Sequence, residues 1–299
     1  MKSLRDILKE AEAKHVAIGH FNISDLVTLQ AILDAAMSLS SPRKKIPIII
    51  GTSEGEREFI GVENAVALVR TARKKYKWPI FLNADHTHSL EKIKEAVEVG
   101  YDAVLFDPFD SAQGKGGKLP LEENIRQTKE VMAYVRSVNP DIVVEGELGY
   151  IGSASEVLDK VPEGAAVTEA TMTTVEEATR FVKETGVDLL APAVGNRHGI
   201  VVGVPKSLSI GRITAIKKAI GISMVLHGGS GTAAEEFTRA IEAGINIVHV
   251  STELRVAWRK GIEEGLAGGK EVTPYKLLAK AKENIKEVVM RNLKIFSGR

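Results

Sequence analysis

The chain has no cysteine, which excludes disulfides, thiolate metal sites and cysteine nucleophiles. It also lacks a one-signed charge: 40 basic residues stand against 39 acidic ones. That balance argues against a nucleic-acid or membrane-surface partner, while leaving room for a local anion site. No run of about 18 apolar residues occurs, so no membrane-spanning helix is expected. The opening MKSLRDILKEAEAKH lacks the long apolar core of a signal peptide, and a cytoplasmic location is the expectation. Linkers, low-complexity tracts and a strong domain boundary are missing too, so residues 1–299 read as one domain. Lys, Arg and Glu are plentiful, a composition compatible with a heat-adapted surface.

Eight short apolar, β-branched runs are present instead: 15–21, 46–50, 79–84, 101–106, 141–146, 186–192, 222–228 and 245–251. Between most of them lie stretches with helical spacing, such as LVTLQAILDAAMSL and LEKIKEAVEVG, the latter closed by a glycine stop. Strands buried on both faces and joined by crossover helices run parallel, and eight such units predict an α/β fold, a (β/α)8 TIM barrel. A doubly wound sheet is the alternative, but its G-x-G-x-x-G first loop is absent. The tail after residue 270 reads as a C-terminal helical extension over the barrel or a subunit contact.

Polar residues gather at the strand ends. Asp85 and His86 follow the third strand, Asp107 the fourth and Glu147 the fifth. His198 lies after the sixth, His227 ends the seventh, and Ser251 and Thr252 follow the eighth. In a barrel those ends share one face, so the residues converge on a single pocket. His86, His198 and His227 are the best-placed metal ligands, since three imidazoles plus an open position suit a catalytic divalent ion. The bland alternative for each is a hydrogen-bonded packing histidine. Of Glu145 and Glu147, the second is favoured to orient a ligand or join the metal because it lies beyond the predicted strand end. Asp85 is placed to shuttle a proton or, more plainly, to cap a helix with Thr87; Ser89, ahead of LEKI, is the better cap. His88 is left as a loop or supporting residue.

HGGSG at 227–231, with Gly228, Gly229, Ser230 and Gly231, precedes a helical pattern, and Ser251–Thr252 precede another. Backbone amides at such turns can hold phosphate, and barrel phosphate sites commonly use the last two loops. A plain tight turn is the competing reading. Lys115 and Lys118, in SAQGKGGKLP, either close over an anion or only solubilise the loop.

Taken together, AIGHFNISDLVTLQAIL, IPIIIGTSEG, NADHTHSLEKIKEAVEVGYDAVLFD, KLPLEENIRQTKEVM, VEGELGYIG, VLHGGSG and STELRVAW resemble the class II, metal-dependent fructose-bisphosphate/tagatose-bisphosphate aldolases. The resemblance implies a TIM barrel, usually a homodimer or homotetramer. It further implies reversible cleavage of a phosphorylated ketose, such as fructose 1,6-bisphosphate, to dihydroxyacetone phosphate and an aldehyde. It implies Zn2+ or another divalent metal on His86, His198 and His227, and Asp85 exchanging the proton of the C4 hydroxyl. Glu147 and Asp107 match acids near the family metal. Gly199, the 228–231 loop, Ser251 and Thr252 match the dihydroxyacetone phosphate site, and Asn22 and Ser53 match pocket positions.

Three departures accompany the resemblance. The family's lysine and asparagine in KVNIxTEL become Ile247 and His249, so a bulkier imidazole stands where an amide holds substrate; His249 binds substrate, approaches the metal or only packs. DPFDSAQGKGGKLP, spanning the 108–118 loop, is longer than the family's DGSxLP. IGSASEVLDKVPEG offers Glu156 near the position of the family's ketone-fragment base without a firm match. Rival readings are a changed ketose specificity, a metal-dependent hydrolase, and a non-catalytic barrel binding a phosphorylated metabolite.

Overall fold

The computed structural model describes residues 2–298 except 42–43, 111–116, 153–154, 162, 164, 166–167 and 268. Eight parallel strands close into a barrel: β1 (Ile18–Asn22), β2 (Ile48–Thr52), β3 (Ile80–Thr87), β4 (Ala103–Phe106), β5 (Val143–Leu148), β6 (Leu189–Pro192), β7 (Ser223–Leu226) and β8 (Ile245–Val250). They pair in sequence order, and β8 returns to β1 with Ile247 opposite Ile18 and His249 opposite His20. All eight expected strands are present, ringed by helices.

The period of two along each strand divides the residues between two cores. Phe21, Ile50, Leu82, Val104, Val144, Leu190, Leu226 and Val248 pack outward with the buried faces of the helices. Ile18, Ile49, Phe81, Ala103, Val143, Leu189, Val225 and Ile247 form a separate inner cluster. Helix α1 (Leu4–Ala13) joins that inner cluster through Leu4, Ile7, Leu8 and Ala11, one stripe at helical spacing, and plugs the barrel's N-terminal end. Two residues further along the same inward rows stand His20, Gly51, Asn83, Glu145, His227 and His249. Leu105 and Ala191 continue the other two rows, so most but not all of the inward rows turn from apolar to polar towards the C-terminal mouth.

The C-terminal extension consists of α11 (Pro274–Leu277) and α12 (Ala279–Phe296). Ala281, Ile285, Val289, Leu293 and Phe296 are its buried stripe, laid against α2 (Leu26–Ser38) and α10 (Thr252–Ala267). No helix among the described residues is long and apolar enough to cross a membrane.

Candidate active site

β3 runs three residues past its expected end, through Asp85, His86 and Thr87, so neither Asp85 nor Thr87 caps a helix. Helix α5 (Leu90–Val99) is capped by Ser89, whose hydroxyl accepts from Lys92 N–H at 3.2 Å, as the sequence suggests. Consecutive strand residues ordinarily face opposite ways. His86 has φ of +36°, and the β3–β4 register shifts between Ala84 and Thr87. This kink lets adjacent Asp85 and His86 enter the same cleft. Left-handed backbone at a residue with a Cβ costs roughly 1–2 kcal/mol, and buried Arg57 braces the turn by donating to Asp85 O at 3.1 Å and Thr87 Oγ1 at 2.9 Å.

The cleft at the barrel mouth is lined by Asn22, Ser53, Asp85, His86, His198, His227, Gly228, Ser230, His249, Ser251 and Thr252. Ser155 and Arg255 also line it, and sequence reasoning singled out neither. Asp107 and Glu147 stand around the histidines. Gly199, Gly229 and Gly231 belong to the surrounding loops. Lys115 lies outside the described residues, as does most of the 108–118 loop. No side-chain position is described for Lys118. Glu156 is exposed and contributes its backbone carbonyl to Ile200 N–H.

His86, His198 and His227 present ring nitrogens within 4.8 Å of one another. His86 Nδ1 meets Asp107 Oδ2 at 3.0 Å, and His227 Nε2 meets Glu145 Oε1 at 2.7 Å. Each carboxylate claims a proton on the far nitrogen, leaving His86 Nε2 and His227 Nδ1 facing each other at 3.2 Å. Two nitrogens on one tetrahedral zinc at ~2.0–2.1 Å stand roughly 3.3–3.4 Å apart. The third, His198 Nε2, is buried without a hydrogen-bond partner. Neutral imidazole donors, two of them oriented by carboxylates, fit a divalent cation.

Of the two acids, Glu145 makes the hydrogen bond to a candidate ligand, while Glu147 groups with His86 and Asp107, their ligand atoms within 4.8 Å of one another. Glu147 lies inside β5, and its Oε2 is 4.0 Å from both His86 Nδ1 and His227 Nδ1 with no hydrogen bond. Glu145, two residues earlier on the same inward row, makes the contact with His227. Burial raises Glu147 to about 8, with Asp107 adding to the effect.

Burial disfavours charge on His86, but Asp85, Asp107 and Glu147 outweigh it and raise the imidazole to about 10. His227 is also raised, burial being overcome by Glu145 and then Glu147. Protons on both facing nitrogens would point head to head, so the field that these carboxylates create is matched by one shared cation. Burial, reinforced by His86 and His227, keeps His198 neutral.

Asp85 is buried at 4% exposure. Its Oδ2 accepts from Asn22 Nδ2 at 2.9 Å, and its Oδ1 stands 3.3 Å from His249 Nδ1. Burial would raise the carboxyl, but His86, His249 and His20 hold it well below the usual carboxylate range. Asn22 Nδ2 also donates to Glu56 Oε2 at 2.8 Å, and Glu56 Oε1 receives Arg255 Nη2 at 2.8 Å.

His249 is stacked on His20, with ring centroids 3.4 Å apart and planes 1° from parallel. Lone pairs of an imidazole lie in its plane, so parallel rings at this spacing cannot both aim at one ion. The His20–Asp85–His249 cluster is therefore a packed pair beside a carboxylate in this arrangement. Burial lowers both rings, His20 to about 4, so the stack is neutral.

The two glycine-loop segments are tied together. Ser230 Oγ accepts from Ser251 N–H at 3.3 Å and Glu253 N–H at 3.2 Å, while Gly231 N–H donates to Glu253 Oε1 at 2.7 Å. Ser251 Oγ remains buried without a partner. Gly228 has φ of +60°, and a Cβ there would stand 2.2 Å from Arg197 O, so only glycine lets the His227 and His198 loops approach.

Comparison with known proteins agrees along the whole length. The family profile "Fructose-bisphosphate aldolase class-II" matches residues 2–299. The fructose-bisphosphate aldolase of Geobacillus stearothermophilus is 34% identical over 300 residues, covering 99% of this chain and 96% of the relative. That of Staphylococcus aureus is 34% identical over 298 residues, covering 98% and 96%. The crystal structure of the YdjI aldolase from Escherichia coli K12 superposes with a TM-score of 0.78 at 27% identity, covering 99% of this chain and 97% of the other. The chain belongs to the class II fructose-bisphosphate aldolase family.

Proposed function

We propose that this protein is a metal-dependent lyase that reversibly cleaves a ketose 1,6-bisphosphate, such as fructose 1,6-bisphosphate, to dihydroxyacetone phosphate and an aldehyde. The observation that carries the reading is the convergence of ring nitrogens of His86, His198 and His227, within 4.8 Å of one another, in the cleft that the buried carboxylate of Asp85 also lines. Imidazole donors favour zinc among divalent metals, with cobalt, manganese and iron as alternatives. When bound, the metal supplies Lewis acidity that stabilises negative charge on the ketone fragment.

The chain's own groups account for the remaining steps. Asp85, ionised and held by Asn22, accepts the proton of the C4 hydroxyl as the C3–C4 bond breaks. C4 becomes the aldehyde carbon, and the bonding pair stays with the dihydroxyacetone phosphate fragment. In condensation Asp85 returns the proton. Ser251 Oγ, Thr252, Gly199 and the 228–231 loop surround the phosphoryl group of that fragment. Arg255, the guanidinium among the cleft-lining residues, serves the outer phosphate. His249, with His20 behind it, bounds the cleft beside Asp85 and is the position at which the preferred ketose is decided. A homodimer or homotetramer in the cytoplasm, with no nucleic-acid or membrane partner, completes the reading.

The test is release of dihydroxyacetone phosphate from fructose and tagatose 1,6-bisphosphates by metal-reconstituted protein, beside EDTA-treated protein and Asp85→Asn. Asp85→Asn is expected to keep one metal per chain and lose roughly 10²–10⁴ in rate. No release from either sugar by fully metallated wild type refutes the bisphosphate-aldolase reading.

A further inference from the structure

Lys206 lies beyond His198 in the loop that follows β6, and it is 4% exposed. It does not line the cleft. Its Nζ donates to Gly228 O at 2.6 Å and also to Ser230 O, both in the loop between His227 and α9 (Ala234–Glu242). Carbonyl and N–H of a trans peptide point in opposite directions. Drawing these two carbonyls towards the ammonium therefore turns the next two N–H groups away from it. Gly229 N–H accordingly reaches His249 O at 3.0 Å, and Gly231 N–H reaches Glu253 Oε1. One buried ammonium thus sets the peptide orientation of the whole loop.

Among the described residues no carboxylate lies within ion-pair distance of Lys206. A buried charge without a counter-ion is costly, and a lysine kept only for packing would be outperformed by an apolar side chain of equal length. Burial, with Arg197 adding to it and Glu253 opposing it, lowers the ammonium to about 7. Gly229 N–H and Gly231 N–H are taken by His249 O and Glu253 Oε1, so the charge of Lys206 reaches the cleft across Gly228 and Ser230, which line it.

We propose that Lys206 is the positioning cation of the phosphate subsite, orienting the 228–231 loop and acting through it as the counter-charge of the substrate's phosphoryl group. This rests on the reading of that loop as the phosphate site. The test is the affinity of metal-loaded protein for inorganic phosphate, by calorimetry, with KM and kcat for the ketose bisphosphate measured alongside. Wild type is compared with Lys206→Met, Lys206→Gln and Lys206→Arg. Gln retains donors for the two carbonyls but carries no charge, and Arg retains the charge. Met and Gln are expected to weaken phosphate binding about tenfold and to raise KM more than they lower kcat, whereas Arg stays within about threefold of wild type. If Met does not fold, the contrast between Gln and Arg decides the matter. Phosphate bound as tightly by Gln as by wild type overturns the role of the charge and leaves only a loop clamp. Wild type that binds no phosphate overturns the subsite reading itself, and this assignment with it.

Discussion

Replacing Gly51 with alanine would drive a methyl group into the ring of His20. The added Cβ would stand 2.1 Å from Cε1 and 2.5 Å from Nε2, where ordinary contact begins at 3.4 Å. The ring must retreat by about 1.3 Å, and it is held on every side. It is fully buried, stacked on His249 at 3.4 Å, and tied through Nε2 to Asn83 Nδ2 at 3.1 Å. Overpacking of this kind costs ~1–3 kcal/mol, and because two rings have to move the upper end applies. With an unfolding entropy of ~0.6 kcal/mol/K for a chain of this length, ~3 kcal/mol lowers Tm by ~5 °C. Calorimetry of Gly51→Ala, His20→Ala and the double variant measures the clash directly. Once the ring is gone the methyl has room, so a coupling of about 2–3 kcal/mol is expected between the two substitutions. Because the displaced His249 bears on Asp85, Gly51→Ala should also lower kcat while one metal per chain remains bound. Additive effects, or a Gly51→Ala melt indistinguishable from wild type, would refute the trapped-ring reasoning.

Glu145→Ala removes the acceptor for His227 Nε2 and is expected to weaken metal binding roughly 10–100-fold in chelator competition; unchanged affinity would remove Glu145 from the orienting role. Metal affinity should also depend on pH. Because His86 is raised to about 10 and His227 is raised too, protons compete with the metal below that range. Affinity is therefore expected to climb as pH rises from about 6.5 towards 10, by about tenfold per unit for each proton displaced. Titrations at about pH 6.5, 7.5 and 8.5 that give one constant affinity would contradict this.

The strands were legible because both faces of a barrel strand are buried, so each stands out as an apolar run. The rows Ile18–His20–Asn22, Phe81–Asn83–Asp85, Val143–Glu145–Glu147 and Ile247–His249–Ser251 carry the inward period of two in plain view. Reading them strictly would have selected Glu145 as well as Glu147 and would have brought in His20. His86 breaks that period, and the kink that turns it inward depends on backbone torsion and on Arg57 from another element, neither of which has a local signature. Lys206 and Arg255 were illegible for a related reason. Their roles come from loops and a helix whose mutual placement is decided only after the barrel forms.

That last point bears on how the molecule assembles. Its proposed ligands come from β3, the loop after β6 and the end of β7, and the ring is completed by β8 pairing with β1 across most of the chain. Bringing such distant segments together is the slow, entropically costly part of folding. Helices and neighbouring strand pairs can form early, but the three-imidazole site exists only when the ring has shut. Tight uptake of metal thus becomes a clock for ring closure. On dilution from denaturant, a metal signal should lag behind the recovery of helical circular dichroism, and no half-barrel fragment should retain the ion.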